Sequence, residues 1–250
     1  LFITAPENVA WLLNIRGYDS PTSPLPNSNL LLTKEKHVFL IVEKNKTTKL
    51  LSEKKLKQDQ IVDPRYILNF FDKLKKGTIL IDEKTCSLYF EKVIEKKFKI
   101  KKKEDPIYIL KSIKNKIEIK NMINAHVIDG VALTKFIYWI KNLKKINITE
   151  VDAQNKLEQI RRMNSKYLFP SFNTIAGSGK NGAIVHYRAT KNNTKLIKKN
   201  EIFLCDSGGQ YKYGTTDVTR TICFTNQDQN IKNIFTKVLK GHIAVATTNI

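Results

Sequence analysis

In the first hundred residues the apolar positions come mostly in short runs. Trp11-Leu12-Leu13-Asn14-Ile15 reads as a buried strand, and residues 30–33 and 38–42, flanking the polar Lys34-Glu35-Lys36, predict a hairpin. Between residues 64 and 75 the period changes. Tyr66, Ile67, Phe70, Phe71 and Leu74 recur at helical spacing, with Gly77 as the expected stop. Residues 79–81 then predict a strand and residues 88–93 a helix. This alternation describes a small mixed α/β domain in which nothing looks catalytic. Residues 96–105 gather Lys96, Lys97, Lys99, Lys101, Lys102 and Lys103 ahead of Pro106, as expected of an exposed strand and linker. The expected division is therefore a domain over 1–103 and a second over 104–250.

The second part opens with helical pattern. Leu133, Phe136, Ile137 and Ile140 form the apolar stripe of a packed helix. Thr149 ahead of Glu150 and Asp152 is a capping signature for a helix running through Leu157 and Ile160 to Met163. Strands are predicted over 167–172, 183–187, 201–206 and 217–224, and a last helix from Ile231 still runs at the end of the chain. Leu1 is followed at once by core-like Phe2-Ile3, so both ends are expected to be cuts. The fold class expected is α+β.

Composition narrows the class. With 41% hydrophobic and 27% charged residues the chain can bury real cores as a globular protein. It holds no apolar run near the roughly 18 residues a membrane span needs, and no leader pattern. A net charge of +21 raises the question of a polyanion partner. The basic residues are 38 Lys and only 6 Arg, however, and readers of phosphate and guanine favour Arg. A solvated Lys-rich surface is the expected reading, with nucleic acid the lesser one. Cys86, Cys205 and Cys223 show no CxxC pairing, which fits a reduced, cytoplasmic protein.

The segment that changes the picture is Glu201-Ile-Phe-Leu-Cys-Asp206-Ser-Gly-Gly-Gln-Tyr-Lys-Tyr-Gly-Thr-Thr-Asp217-Val-Thr-Arg220. An apolar strand runs into Asp206, a Gly-rich reversal follows, and a second strand starts at Asp217. With a turn near Tyr211-Lys212, Asp206 faces Asp217 across an antiparallel ribbon, placing two carboxylates about 5 Å apart. Their repulsion is roughly 3 kcal/mol at an effective dielectric of about 20. A divalent cation reverses the sign of that interaction. Two plainer readings stand beside it: Asp206 in an Asx-type turn, and Asp217 paired with Arg220. Gly177-Ser-Gly179-Lys180-Asn181 hints at a phosphate loop, but Thr174 and Asn181 occupy the positions where Gly and Ser or Thr are required.

Asp206 through Thr221 resembles the metal-site hairpin of aminopeptidase P, in the pita-bread metallopeptidase group. Upstream, Asn181-Gly-Ala-Ile-Val-His186-Tyr resembles the strand carrying that family's first active-site histidine. Residues 105–118 and 125–132 resemble the helical entry to its catalytic domain, and Trp11-Leu-Leu-Asn-Ile-Arg-Gly17 resembles the preceding domain of its longer members. Val238-Leu-Lys-Gly-His242-Ile-Ala-Val also fits. The resemblance implies a truncated mixed α/β domain followed by the first half of a pita-bread catalytic domain, with a curved antiparallel sheet under helices. It implies a hydrolase that releases an N-terminal residue preceding proline, using two divalent metals, manganese foremost with zinc or cobalt as alternatives. Asp206 would bind one metal with both oxygens, Asp217 would bridge both, and His186 would help hold the substrate. A metal-bridging water would attack the scissile carbonyl, with a glutamate as base. The substrates would be peptides with proline in second position, and a homodimer is implied. The family completes its centre with one His and two Glu beyond the hairpin. Residues 218–250 hold no Glu and a single His, His242, so those ligands are expected beyond Ile250 and this polypeptide alone is expected to be inactive. The alternative class is a non-catalytic pita-bread binding module whose Lys-rich surface holds acidic partners or nucleic acid.

Overall fold

The computed structural model describes residues 1–144 and 147–249. They form two compact units, Leu1–Asn115 and Lys116–Ile250.

The first unit runs β1 (Phe2–Ile3), α1 (Pro6–Leu13), β2 (Asn29–Leu32), β3 (Val38–Ile41), α2 (Thr48–Ser52), β4 (Ile61–Val62), α3 (Ile67–Lys73), β5 (Thr78–Ile81), α4 (Leu88–Glu95), β6 (Lys99–Lys102) and α5 (Ile107–Ser112). Its mixed sheet has the order β4-β3-β2-β1-β5-β6. Successive residues of a strand point to opposite faces, and the cores follow that rule. Phe2, Leu31 and Ile41 pack with Phe71 of α3 and Ile94 of α4. Their neighbours Ile3, Leu30 and Leu40 pack with Val9 of α1 and Ile107 of α5. The sheet is thus covered on both sides.

The predicted hairpin is β2–β3, paired Asn29↔Ile41 through Leu32↔Val38. The strand expected over Trp11–Ile15 is instead the end of α1. Pro6 opens this helix, Asn14 caps it in the left-handed conformation (φ 48°), and the Ile15 N–H reaches back to the Ala10 carbonyl. Helix α3 stops at Lys73, where Leu74 turns extended, before Gly77 is reached. The charged stretch supplies β6, a parallel edge strand beside β5. Lysines at a sheet edge discourage further pairing. The chain stays with this unit beyond residue 103, because buried Asp105 accepts from Asn8 Nδ2 (2.7 Å) and Ile107 enters the core. Charge alone therefore draws the division twelve residues ahead of the one between the compact units, at Asn115.

The second unit runs α6 (Lys116–Lys141), α7 (Glu150–Arg162), β7 (Tyr167–Pro170), β8 (Ile175–Ser178), β9 (Phe203–Ser207), β10 (Gly209–Tyr211), β11 (Gly214–Thr215), β12 (Val218–Ile222) and α8 (Gln229–Ala246). Two three-stranded sheets form, β11-β10-β7 and β12-β9-β8. Leu133, Phe136 and Ile140 of α6 interlock with Ala153, Leu157 and Ile160 of α7 over Ala176, Phe203, Cys205 and Ile222 of the sheet. The Thr149 capping box forms as expected, with Thr149 Oγ1 accepting from the Asp152 N–H and Asp152 accepting from the Thr149 N–H.

Residues 183–187 make no strand. Their backbone donors are spent locally, Ile184 N–H on the Asn181 carbonyl and Tyr187 N–H on the Ile184 carbonyl. The third strand of the β9 sheet is β8 instead, whose Ile-Ala-Gly-Ser sequence carries little strand signal. Helix α8 closes at Ala246 with Thr247 as its cap, although the last helix was expected to run on to Ile250, which lies outside the described residues.

Candidate metal-site hairpin

Residues 203–222 form one hairpin bent between the two sheets. Strand β9 passes through Gly208 into β10, Lys212 and Tyr213 make the turn, and β11 returns into β12. A single register runs through it: Phe203↔Ile222, Asp206↔Thr219, Ser207↔Val218, Gln210↔Thr215 and Tyr211↔Gly214. The turn sits one residue later than expected, so the partner of Asp206 is Thr219, and direct opposition of Asp206 and Asp217 is corrected. A slip of two keeps every side chain on its face, since the strand period is two. Asp217 precedes β12 and lies outside the paired residues; strand parity carried back from Thr219 would set it on the Asp206 side.

The two carboxylates have different surroundings. Asp217 is exposed and borders a cavity of about 1000 Å³ together with Thr219, Arg220, Ile234, Phe235 and His242. Asp206 is half-buried, and its Oδ1 is a buried atom with no hydrogen-bond partner. Orphaned buried oxygens are rare enough to require an explanation, and an Asx-type turn through Oδ1 is not formed. Nor does an ion pair join Asp217 to Arg220 among the described residues; Arg220 Nη1 donates to the Thr219 carbonyl at 2.8 Å. Two carboxylates close along one hairpin, one with an unmet oxygen, suit a hard divalent cation. Among the described residues no group of three His, Cys, Asp or Glu is close enough to hold a metal. The donor set fits part of a coordination shell.

Behind Asp206 the hairpin is fixed by a buried polar network. Arg161 of α7, 1% exposed, donates Nε (2.7 Å) and Nη2 (3.1 Å) to Asp129 of α6. It also donates to Ser207 Oγ (3.0 Å) and the Gly208 carbonyl (3.3 Å), and Tyr211 OH donates to Asp129 at 2.7 Å. Burial works against the guanidinium charge, but hydrogen bonding and attraction to Asp129 outweigh it and raise the Arg161 pKa. Burial first, then the bond to Asp129, pushes the Tyr211 phenol up as well. Arg161 thereby grips the residue next to Asp206, and Asp129 of α6 holds Arg161 and Tyr211.

His186 sits in a turn, exposed, with φ 54°. The expected strand location is corrected: the short helical turn Gly179–Ala183 leads into it.

The pattern of Metallopeptidase family M24 matches residues 120–249, and that of the Creatinase/Prolidase N-terminal domain matches residues 1–118. The chain belongs to metallopeptidase family M24. Its M24 relatives include a probable Xaa-Pro aminopeptidase P of Aspergillus niger, 36% identical over 99% of this chain and 42% of that protein. A peptidase of Schizosaccharomyces pombe is 35% identical over 96% of this chain and 40% of that protein. The chain thus spans about two fifths of the length of the curated relatives it matches. Among solved structures, X-prolyl aminopeptidase from Caenorhabditis elegans, described as a cytosolic enzyme with a di-nuclear active site, superposes with a TM-score of 0.84 at 27% identity, covering 99% of this chain and 42% of that one. Prolidase from Pyrococcus furiosus superposes with a TM-score of 0.72 at 26% identity, covering 96% and 66%. The fold of this M24 chain is α+β, a mixed α/β unit followed by part of a pita-bread domain. No helix among the described residues is long and apolar enough to cross a membrane.

Sequence reasoning missed two groups in this M24 unit, Arg161 with Asp129, and Glu150. A signal existed for Arg161: it lies four residues after Leu157 on the stripe that α7 buries, where a charge requires a partner.

Proposed function

We propose that this chain supplies Asp206 and Asp217 to the dinuclear metal centre of a Xaa-Pro aminopeptidase, and that His186 helps hold the substrate. The observation that carries the reading is the buried, unpartnered Asp206 Oδ1; strand parity along the register supports Asp217, just ahead of β12 on the facing arm, as its neighbour. When bound, two divalent metals, manganese foremost and zinc or cobalt next, supply Lewis-acid polarisation of the scissile carbonyl and an activated water. Asp206 and Asp217 would hold those ions, and the Arg161–Asp129 pair would keep the Asp206 arm from shifting. His186 would orient the peptide from its turn, and the substrates are peptides with proline in second position. Two carboxylates do not close two coordination shells. Residues 218–249 hold no Glu, so the further ligands, one His and two Glu by family resemblance, come from outside them. We place the working protein in the cytoplasm, as a homodimer.

The test uses the whole translated protein with Mn²⁺ and an Xaa-Pro-Pro peptide, following release of the first residue by chromatography. Wild type releases only that residue. Asp206→Ala lowers the bound metal measured by elemental analysis and abolishes release, while the far-UV circular dichroism stays unchanged. Unaltered metal content in Asp206→Ala, or a metal-loaded wild type that leaves the peptide intact, refutes the assignment.

A further inference from the structure

Glu150, the first residue of α7, is fully buried. Among the described residues its carboxyl oxygens are met by hydrogen-bond donors and not by a cationic side chain. Oε1 accepts from the Ser178 N–H (2.8 Å) and Asn181 Nδ2 (3.0 Å). Oε2 accepts from Asn181 Nδ2 (3.2 Å), Tyr187 OH (2.8 Å) and the Lys195 N–H (3.1 Å). A buried carboxylate is tolerated only when its lone pairs are filled in this way. The donors are the point of interest. They come from both ends and the middle of the excursion between Ser178 and Lys195, so one side chain joins its ends to its middle. Glu201 also ties Ser178 Oγ to Lys195 Nζ at the two ends.

His186 lies inside that excursion, between the tethered Asn181 and the tethered Tyr187. It holds φ 54°, a left-handed conformation that a non-glycine residue keeps only when its surroundings impose it. Ile184 and Val185, the residues before it, are exposed and offer no apolar anchor. The Tyr187 ring is buried, and burial together with the bond to Glu150 pushes its phenol up to about 12, so it remains a donor at any physiological pH.

We propose that Glu150 is a positioning residue for His186. Acting through Asn181 and Tyr187, it fixes the turn from which the imidazole reaches the substrate and touches no substrate itself. The inference rests on His186 as a substrate-holding group, and its test separates the two ideas.

Tyr187→Phe removes one donor to Glu150, and with it the acceptor for Asn181 Nδ2 (2.9 Å), and keeps the buried ring. In the whole translated protein we expect it to lower kcat/KM for an Xaa-Pro-Pro peptide by about tenfold, the size of a hydrogen bond to a charged group. In a His186→Ala background the same substitution should change nothing further, because its route to the substrate is gone. Multiplying effects in the double variant overturn the proposal. A second arm needs no activity. Imidazole signals are followed by carbon-detected NMR in the same protein. The one lost in His186→Ala identifies His186. Both Tyr187→Phe and Glu150→Gln should shift or broaden that signal and leave those of His37, His126 and His242 in place. An unmoved His186 signal in folded Tyr187→Phe overturns the proposal even if no peptide is cleaved, whereas a moved signal with an inert wild type discards only the enzymatic reading.

Discussion

A Cβ added to Gly208 would lie 2.0 Å from the Thr216 carbonyl oxygen and 2.2 Å from Ser171 Oγ. Both are held in place, since Ser171 Oγ donates to that same carbonyl (2.8 Å) and the Thr216 N–H bonds the Gly209 carbonyl (2.9 Å). The requirement is close approach: the hairpin bends between its two sheets where only hydrogen fits, directly after Asp206 and Ser207. Gly208→Ala should therefore cost about 3 kcal/mol of stability, the upper range for overpacking, read as a lower urea midpoint. An unchanged midpoint would show that the bend has slack. The Gly-Gly after Asp206 was legible in sequence as a reversal, but which glycine is indispensable was not. That depends on Ser171, which lies on a different strand connection.

The elements that matter together are α6, α7 and the hairpin. Packing of Leu133, Phe136 and Ile140 against Leu157 and Ile160 follows from their spacing, and these helices were legible. The Arg161–Asp129 pair inside that packing was not, because helical periodicity reports which face is apolar and does not report which polar residue crosses it. Removing one partner of a buried ion pair leaves the other unpaired at a cost of about 3–5 kcal/mol, whereas replacing both with apolar groups is often neutral. Arg161→Met should accordingly lower the urea midpoint sharply, and Arg161→Met with Asp129→Leu should recover most of the loss. Failure of the double substitution to recover would mean that the bonds from Arg161 to Ser207 and Gly208 carry the stability, and not the pair. The strand expected over 183–187 belongs at this scale too. Its apolar Ala-Ile-Val run suits a strand, yet a strand needs a partner edge, and the Glu150 tethers hold this segment in a turn.

For the whole molecule the sign and excess of charge raise a partner question that the fold answers in part. Lys99, Lys101 and Lys102 lie on β6, an edge strand, and Lys102 is engaged with Glu91 at 2.8 Å and Glu83 at 3.5 Å. Edge protection accounts for this cluster without a polyanion. Nonspecific DNA binding at 150 mM salt should accordingly be weaker than about 100 µM, measured by fluorescence anisotropy with a random duplex; tighter, salt-sensitive binding would revive the binding-module reading. Local chemistry and period were enough to determine the α+β class, the β2–β3 hairpin and the Thr149-capped helix, because each depends on neighbours within a turn or on strand parity. Tertiary structure alone decided the rest. It turned Trp11–Leu13 into the end of a helix, since a short apolar run fits either period until a sheet is there to be covered. It set the hairpin turn at Lys212-Tyr213, moved the third strand to residues 175–178, and joined Glu150 to the His186 turn, because these choices depend on partners distant in sequence.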